Sequence, residues 1–595
     1  MPAHAPDSAA AWLHRGNVLQ RAGRFEESVE CYRRAIGVQP AFPEAYNNLA
    51  AAQRASRQWP DAFESANRAL ALRPEYPSAL NNRGLIYLDC RQGTAAAQDF
   101  RRAAALNPKF AEAWHNLGIA LMELRRFLEA GEAFAQLAAI APGFRHVQGN
   151  LLLARLNCCD WSDFDAAAGT LMDAVQRGEH AATPFAFLSI CGSAALQLRC
   201  ARLYADAFYP PAPPQTGRVR SGHDKIRVAY LSGDFGEHAV TYLSAGVWER
   251  HDPSRFETVA VSWGRHDDGP VRRRAEASFS RFIDVTSFGD RRAADLLCEL
   301  GIDIAVDLGG HTLGQRTGIL ARRPAPVQVN YLGLPATMGA SYMDYLIADP
   351  FLVTEAHQAN YSEKLVWLRG GFQPNDDKRD LQPTGQPRSA FGLPDQGFVF
   401  CCFNRNTKLN PACFDVWMRL LKAVPGSVLW LLAGNPAAEH NLRREAAIRG
   451  VDAGRLAFAG DVSYADYMAR YIHADLFLDT MPFNGGTTVS DAVSMGVPVL
   501  TCAGDSFAGR MAGSILAALG TPDLITASLA DYEARALELA RDPQRVHALR
   551  DTLRERRTRH PFFETDRYRR SLESAYERMW ERHISGLPPA AFHVE

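Results

Sequence analysis

Hydrophobic and polar positions recur with a period of 34 residues near the start of the chain. Each period holds two apolar faces at helical spacing, separated by a short polar turn and closed by a proline. The closing proline returns as Pro40, Pro74, Pro108 and Pro142, and an aromatic residue or leucine returns as Trp12, Tyr46, Leu80 and Trp114. This pattern predicts four helix pairs over residues 7–142.

A further helical region and a proline-rich segment follow the repeats. Helical spacing continues over 145–209 without the 34-residue register, and the apolar stretch Phe185–Leu198 predicts one core helix that is too short to cross a bilayer. The segment from Pro210 to Gly222 begins with four prolines in five residues and is typical of an extended, stiff linker. We assign residues 143–222 to a helical adaptor and this linker.

The rest of the chain alternates short apolar runs with helical stretches, which is the pattern of a parallel α/β sheet. Strands are predicted in two series, at 226–231, 258–262, 302–307, 327–332 and 345–348, and at 398–403, 428–432, 455–458, 476–479 and 497–501. Two such series indicate two Rossmann-like domains facing one cleft, assigned to 223–385 and 386–560, with a hinge at Pro383–Pro394. In the last segment, 561–595, the amphipathic stretch Arg567–Arg582 is expected to pack on the first sheet.

Composition narrows the class of protein. The 595 residues are 47% hydrophobic and 22% charged, enough for several folded units, and 65 Lys and Arg balance 66 Asp and Glu. A net charge of −1 creates no strong field toward nucleic acid or a membrane surface, so we expect neither as a partner. The 11 cysteines lack disulfide or zinc spacing and Met1–Asp7 lacks the start of a secretory signal, which predicts reduced thiols in a cytoplasmic protein.

One strand-loop-helix junction has the residues of a diphosphate site. After the strand at 476–479 comes a loop with Gly486, Thr487 and Thr488, and then a helix with Asp491 one turn in. Glycines let backbone N–H groups approach phosphate oxygens, threonines add hydroxyl donors, and a helix N-terminus favours an anion. Asp491 is positioned to accept hydrogen bonds from ribose hydroxyls. The alternative is a plain turn in which a threonine caps the helix.

Two more junctions supply a cation and an imidazole. Lys408, one of six lysines in the chain, follows the first strand of the same sheet, where a compact cation would neutralise a leaving diphosphate. His238 follows the first strand of the other sheet, on the opposite wall of the expected cleft. A solvated loop lysine and a capping or core histidine are the plain alternatives.

Motifs of other enzyme classes do not fit. The one clear D-x-D sequence, Asp163–Asp165, falls in the helical adaptor rather than at a strand end, and neither a Walker A nor a G-x-G-x-x-G sequence occurs. These observations disfavour a metal-dependent transferase, a nucleotide hydrolase and a dinucleotide oxidoreductase.

Several segments resemble those of a known protein family in their residues and in their order along the chain. The chain resembles the O-linked N-acetylglucosamine transferases at 232–238, 323–328, 332–335, 361–364, 403–411 and 481–488, and its repeats resemble tetratricopeptide repeats, which stack into a superhelix with a concave face. This resemblance spans nearly the whole chain. It implies a GT-B glycosyltransferase that binds a nucleotide sugar mainly through its C-terminal Rossmann-like domain, admits the acceptor from the repeat side, inverts the anomeric carbon and requires no metal.

The resemblance also implies roles for single residues. Lys408 matches the family lysine that stabilises the diphosphate leaving group, and His238 matches a histidine regarded as essential in the cleft. The other matches are a turn near the sugar at Pro335, an arginine near the nucleoside at Arg470, the diphosphate loop at Gly486, Thr487 and Thr488, and the ribose contact at Asp491.

Three positions depart from the eukaryotic pattern. Arg405 stands where those members have glutamine, Tyr467 where they have a histidine beside uracil, and Gly486 where they have a histidine in the loop. The donor is therefore open between UDP-N-acetylglucosamine, which we expect, and GDP-fucose or UDP-glucose. An inactive repeat scaffold is the alternative from another class.

Asparagines on the repeats point to the acceptor. Asn48, Asn82 and Asn116 stand 34 residues apart, whereas the first repeat has His14 at that position. A ladder of amides can bind the backbone of an extended peptide, as in the family, although packing is the plain alternative. We therefore predict an inverting, metal-independent protein O-glycosyltransferase that modifies Ser or Thr of polypeptides bound along the repeat groove, with the nucleotide sugar as substrate and no cofactor.

Overall fold

The computed structural model describes residues 8–212, 224–264, 267–379, 381 and 385–594. The described residues form two compact units, one that reaches Arg155 and includes Ser287–Gly289, and one that contains the remainder. The predictions made for Met1–Asp7, for 213–222 of the proline-rich linker and for 383–384 of the hinge lie outside the described residues.

Four helix pairs build the first unit, which confirms the prediction from the 34-residue period. The helices are α1 (Ala9–Arg21), α2 (Phe25–Val38), α3 (Pro43–Ala55), α4 (Trp59–Leu72), α5 (Pro77–Asp89), α6 (Gly93–Leu106), α7 (Ala111–Glu123) and α8 (Phe127–Ile140). The turn within each pair has a left-handed residue at the same register position, namely Gly23, Arg57, Arg91 and Arg125. The 34-residue period therefore also holds for the backbone conformation of these turns.

In three of the four pairs an aromatic ring packs directly on a glycine of the facing helix. A Cβ atom on Gly118 would lie 2.4 Å from Phe134, and one on Gly84 would lie 2.6 Å from Phe100. Tyr32 is buried against Gly16 in the same way. Glycine at these positions lets the two helices of a pair approach closely.

The second unit begins with a helical adaptor. The chain passes from the first unit to the second within α9 (Val147–Asn157), and α10 (Phe164–Arg177), α11 (Pro184–Leu188) and α12 (Ala194–Phe208) follow. The prediction of one helix over Phe185–Leu198 is wrong, because Ser193 caps a new helix by accepting a hydrogen bond from the Leu196 N–H. The Gln197 amide donates to the Cys191 carbonyl at 2.7 Å and stabilises this break.

Two parallel sheets follow in the described residues. Their strands are β1 (Ile226–Ser232), β2 (Phe256–Ser262), β3 (Arg281–Asp284), β4 (Ile304–Asp307), β5 (Val327–Asn330), β6 (Tyr345–Ala348), β7 (Lys364–Trp367), β8 (Val399–Cys402), β9 (Val428–Leu432), β10 (Leu456–Ala459), β11 (Leu476–Leu478), β12 (Val499–Cys502), β13 (Ile525–Thr526) and β14 (Phe592–His593). All ten predicted strands are present. The sequence missed β3, β7, β13 and β14, which are short or lie near a sheet edge.

Helices alternate with the strands and cover the sheets. They are α13 (Ala239–Trp248), α14 (Pro270–Ala277), α15 (Asp290–Glu299), α16 (Thr317–Leu320), α17 (Pro411–Ala423), α18 (Pro436–Ile448), α19 (Tyr464–Ala469), α20 (Thr487–Ser494), α21 (Met511–Ala518), α22 (Leu529–Arg541), α23 (Pro543–Arg559) and α24 (Thr565–Ile584). This alternation of strand and helix is the predicted α/β architecture.

Both sheets have the Rossmann strand order. The first runs β14-β7-β6-β5-β4-β1-β2-β3 and the second β10-β9-β8-β11-β12-β13. In each sheet the winding direction reverses beside the first strand, between β1 and β4 and between β8 and β11. Such a switch point opens a crevice at the carboxyl ends of the strands.

The C-terminal helix α24 belongs to the first sheet, as predicted. Leu572, Tyr576 and Met579 are buried in one hydrophobic cluster with Tyr230 and Val329 of the sheet. The chain then adds β14 beside β7 as an edge strand. Within the described residues, the helices include none that is both long and apolar enough to cross a membrane.

Candidate active site

The predicted site residues of the second sheet lie at its switch point. Lys408 ends a short 3-10 helix after β8, and the loop from Met481 to Gly486 follows β11. Asn404, which the sequence reasoning missed, joins the two segments, because its side-chain amide donates to Asp479 at 3.0 Å and to the Thr480 hydroxyl at 2.8 Å.

The Lys408 ammonium group lies against the loop. Its Nζ donates to the Asn484 carbonyl at 2.6 Å and stands 3.7 Å from the centre of the Phe483 ring. Burial lowers the pKa of Lys408 to about 7, against the opposing attraction of the nearby Asp479 carboxylate. This lysine is therefore a poorly solvated cation held beside the loop, and the solvated-lysine alternative is wrong.

The buried Asp479, which directly follows β11, holds the loop through hydrogen bonds. Its carboxylate accepts a hydrogen bond from the Gly485 N–H at 2.7 Å and another from the Thr501 hydroxyl at 2.7 Å. A Cβ atom on Gly485 would lie 2.5 Å from the Thr488 hydroxyl, so only glycine fits there. These contacts fix the conformation of the loop.

Helix α20 begins at Thr487, and Gly486 rather than a threonine occupies its cap position. The Thr488 hydroxyl donates instead to the Asn404 side chain at 2.5 Å. No side chain caps this helix, so the alternative of a threonine-capped turn is wrong. The first N–H groups of α20 are left for another acceptor, which is the property of an anion site.

Asp491 is already paired inside the protein. The Arg379 guanidinium donates to its carboxylate at 2.9 Å, and the Tyr464 hydroxyl donates at 3.5 Å. Burial raises the pKa of Asp491 to about 6, with Arg379 opposing that rise. Arg379 lies in the polar connector between the sheets, where no motif marks it, so this pair could not be predicted from the sequence.

Tyr467 and Arg470 form one wall of the crevice beside β8. The Arg470 guanidinium lies 4.5 Å from the centre of the Phe403 ring and 4.8 Å from that of Tyr467. It donates to the Gly460 carbonyl at 3.0 Å. Arg470 is buried and Tyr467 is mostly so, so the guanidinium group and the aromatic ring are held together in one packed face.

A stacked pair of tyrosines connects the two sheet regions of the second unit. Tyr242 on α13 and Tyr464 on α19 have ring centres 3.8 Å apart and planes inclined by 8°. Tyr464 in turn stacks on Tyr467, at 6.1 Å. The sequence reasoning missed both Tyr242 and Tyr464, because aromatic residues on short helices are usually core residues.

His238 lies at the switch point of the first sheet and caps α13. Its Nδ1 accepts a hydrogen bond from the Val240 N–H at 3.3 Å, so the capping alternative is confirmed. Burial lowers the pKa of His238, Asp234 opposes that shift, and the positive Arg405 adds to it.

Asp234 is held by a residue that the sequence reasoning missed. Gln315 donates its amide to the Asp234 carboxylate at 3.1 Å, and that carboxylate lies 4.0 Å from His238 Nδ1. A Cβ atom on Gly309 would lie 2.2 Å from the Gln315 side chain, so glycine makes room for this contact. Pro335 is buried in the loop after β5, and its role stays a prediction.

The repeat asparagines bond to one another. Each donates its amide to an asparagine of the preceding repeat: Asn48 to Asn17 at 2.9 Å, Asn82 to Asn47 at 2.8 Å, and Asn116 to Asn81 at 2.9 Å. The Asn82 amide also contacts the Asn47 backbone carbonyl at 3.4 Å, so these amides link each repeat to the one before it. The peptide ladder stays a prediction.

Among the described residues, no three His, Cys, Asp or Glu side chains gather as metal ligands. All 11 cysteines are free thiols, and nine of them are buried. The expected absence of a metal or cofactor stays a prediction.

Family models match most of the chain. A model described as Glycosyl transferase family 41 matches residues 211–386 and 384–572. Models described as TPR repeat and Tetratricopeptide repeat match residues 16–56 and 81–143.

Three relatives illustrate the similarity. The chain is 36% identical over 379 residues to a probable UDP-N-acetylglucosamine–peptide N-acetylglucosaminyltransferase SEC of Arabidopsis thaliana, covering 63% of this chain and 39% of that protein. It is 25% identical over 558 residues to the UDP-N-acetylglucosamine–peptide N-acetylglucosaminyltransferase of Caenorhabditis elegans, covering 72% and 48%. A solved structure of a Thermobaculum terrenum O-GlcNAc transferase mutant is 30% identical, with a TM-score of 0.66, 91% of this chain and 98% of that one covered. The chain spans less than half the length of the two curated relatives.

Proposed function

Since the chain belongs to glycosyl transferase family 41, we propose that it is an inverting protein O-glycosyltransferase that moves N-acetylglucosamine from UDP-N-acetylglucosamine to Ser or Thr hydroxyls of polypeptides. The observation that carries the proposal is the Lys408 ammonium group beside an uncapped helix N-terminus at a Rossmann switch point. The names of the relatives supply the donor.

In the proposed reaction the acceptor hydroxyl oxygen bonds to the anomeric carbon and releases its proton, while the bond between that carbon and the diphosphate breaks. Negative charge then develops on the leaving oxygen, where Lys408 and the N–H groups of Thr487 and Thr488 stabilise it. Because Asp479 holds the Gly485 N–H and the Asn484 carbonyl holds Lys408, the loop and the lysine are fixed relative to each other, and little reorganisation opposes the step. The chain's own charges carry this role, so we propose that no metal is needed.

His238 acts as a hydrogen-bond donor in this proposal rather than as the general base. Its Nδ1 accepts from the Val240 N–H, so the neutral ring carries its proton on Nε2. That nitrogen can orient the acceptor or the sugar but has no lone pair to remove a proton. Asp234, held by Gln315, faces the same ring.

The repeats serve as the acceptor-binding region in the proposal. Their helix pairs and the row of asparagines that repeats every 34 residues support binding of an extended polypeptide. The free cysteines support a reducing compartment, and we propose the cytoplasm.

The test is transfer to a mixture of Ser- and Thr-containing peptides, read by mass spectrometry, with UDP-N-acetylglucosamine, UDP-glucose and GDP-fucose offered separately in the presence of a chelator. We expect the N-acetylhexosamine adduct, and Lys408→Ala should lower its rate by about 10²- to 10³-fold. The exposed Lys422 on α17 supplies the matched control, Lys422→Ala, which should keep the full rate.

The other outcomes separate the alternatives. Preference for GDP-fucose or UDP-glucose would change the donor while keeping the enzyme. Product formation that is equal in wild type and Lys408→Ala would contradict the role of the lysine. No adduct from any donor would favour the inactive scaffold.

A further inference from the structure

A cavity of about 240 Å³ opens in the second unit among residues that the cleft does not use. Its wall is formed by the turn after β7, the end of α21, the segment between α23 and α24, and the first turns of α24. The polar and charged side chains on this wall are Arg369, His560, Arg567 and Ser571.

The two arginines of the cavity lack acidic partners. Within the described part of the chain, neither Arg369 nor Arg567 forms an ion pair, although α24 pairs its other nearby arginines. Arg569 contacts Glu573 at 2.7 Å and Arg570 contacts Glu564 at 3.6 Å. Near the start of α24, the arginine that lines the cavity is therefore the one without an acidic partner.

His560 adds a donor to the same wall. Its Nδ1 accepts a hydrogen bond from the Phe562 N–H at 3.2 Å, so the neutral ring has its proton on Nε2. Burial lowers the pKa of His560, and the positive charges of Arg556 and Arg567 lower it further, with no carboxylate opposing them. The field at this point is therefore positive.

Hydrogen-bond donors from Arg369, Arg567 and His560 line this cavity, and the two arginines are positively charged. Guanidinium groups bind phosphate oxygens through paired, charge-assisted hydrogen bonds, and an anion in this cavity would neutralise the unpaired charges of Arg369 and Arg567. We propose that this cavity is a second anion site, which binds a compact phosphate-bearing small molecule independently of the nucleotide-sugar cleft. Its volume suits a small metabolite rather than a polymer.

The test is calorimetric titration of pyrophosphate into the full chain carrying Lys408→Ala, so that the cleft lacks its own phosphate-binding lysine. We expect one binding event, weakened by about ten- to a hundred-fold when Arg567→Gln is added, because a hydrogen bond to a charged group is lost. The matched control is Arg570→Gln, on the same helix and paired with Glu564, which should change affinity by less than about two-fold.

Thermal melting without ligand shows whether Arg567→Gln has folded. If it has not, Arg369→Gln takes its place, because Arg369 is exposed on a turn. Absence of binding to the Lys408→Ala protein would overturn the proposal, as would equal weakening by Arg567→Gln and Arg570→Gln. The pyrophosphate titration is independent of the proposed function, because the cavity stays the same whether or not the cleft binds a nucleotide.

Discussion

At the scale of single residues, the site depends on how side chains are desolvated and paired. Lys408 and Asp491 have pKa values displaced toward neutrality, to about 7 and about 6, chiefly because each is buried. Asp491 has an internal partner in Arg379, whereas Lys408 contacts a carbonyl and an aromatic face. The lysine is therefore the charge that an incoming diphosphate can satisfy.

The lowered pKa of Lys408 makes the affinity for UDP depend on pH. The anion is attracted by the protonated lysine, so affinity should be highest below about pH 7 and fall by up to about ten-fold per pH unit above it. Calorimetry at pH 7, 8 and 9 measures this, because a phosphate group with a second pKa near 6 keeps a constant charge over that range.

Lys408→Arg is the control for this titration, because a guanidinium stays protonated throughout. Its affinity, whatever the absolute value, should not vary between pH 7 and pH 9. A wild-type affinity that is equally flat would show that the lysine retains its proton in the protein, contrary to the effect of burial.

At the scale of elements, the two helices of a repeat meet in contacts that leave no space for a further side chain. The ring of Phe134 on α8 occupies the position that a side chain on Gly118 of α7 would take, and the same arrangement recurs at Gly84 and Phe100. In the second repeat Ala50 stands in register with these glycines, and Ala66 replaces the aromatic residue on the facing helix. The residue pair thus sets the distance between the two helices.

Gly118→Ala should lower the free energy of unfolding by about 1–3 kcal/mol, because the new methyl group must displace a buried ring. The control is Gly37→Ala on α2, where a Cβ atom meets nothing within 4 Å and the unfolded chain loses freedom. That variant should gain about 0.4–1 kcal/mol. Urea unfolding followed by circular dichroism compares them, and a shift of the same sign in both would contradict the packing argument.

At the scale of the whole molecule, distant parts of the sequence complete single cores. Helix α24 supplies Leu572, Ala575, Tyr576 and Met579 to the core of the first sheet, whose first strand begins at Ile226. The fully buried Glu573 also accepts from the Asp252 N–H at 2.9 Å and pairs with His251 at 3.0 Å. The first sheet is therefore incomplete without the end of the chain.

Leu572→Ala should destabilise the first sheet by about 2–5 kcal/mol, because it leaves a cavity in that core. Ile584→Ala, at the exposed end of the same helix, should change stability by less than about 0.5 kcal/mol. Urea unfolding monitored by tryptophan fluorescence distinguishes them. Similar midpoints for the two variants would mean that α24 contributes little to the core.

The sequence by itself determined the repeats, the order of strands and helices, and the junctions that hold Lys408, His238 and the loop at 481–488. These features are local, because periodicity, glycine and proline act on neighbouring residues and a strand-loop-helix junction is continuous in the chain. The short strands β13 and β14 escaped detection because two residues carry no readable period.

Only the tertiary structure decided the partners of those residues. Asp479 beneath the loop, Arg379 on Asp491, Gln315 behind Asp234 and the stack of Tyr242 on Tyr464 join segments separated by many residues. Each contact depends on which strands and helices become neighbours, and burial then sets the charge of the groups involved. The sequence pattern contains no information about which elements become neighbours or how deeply a group is buried.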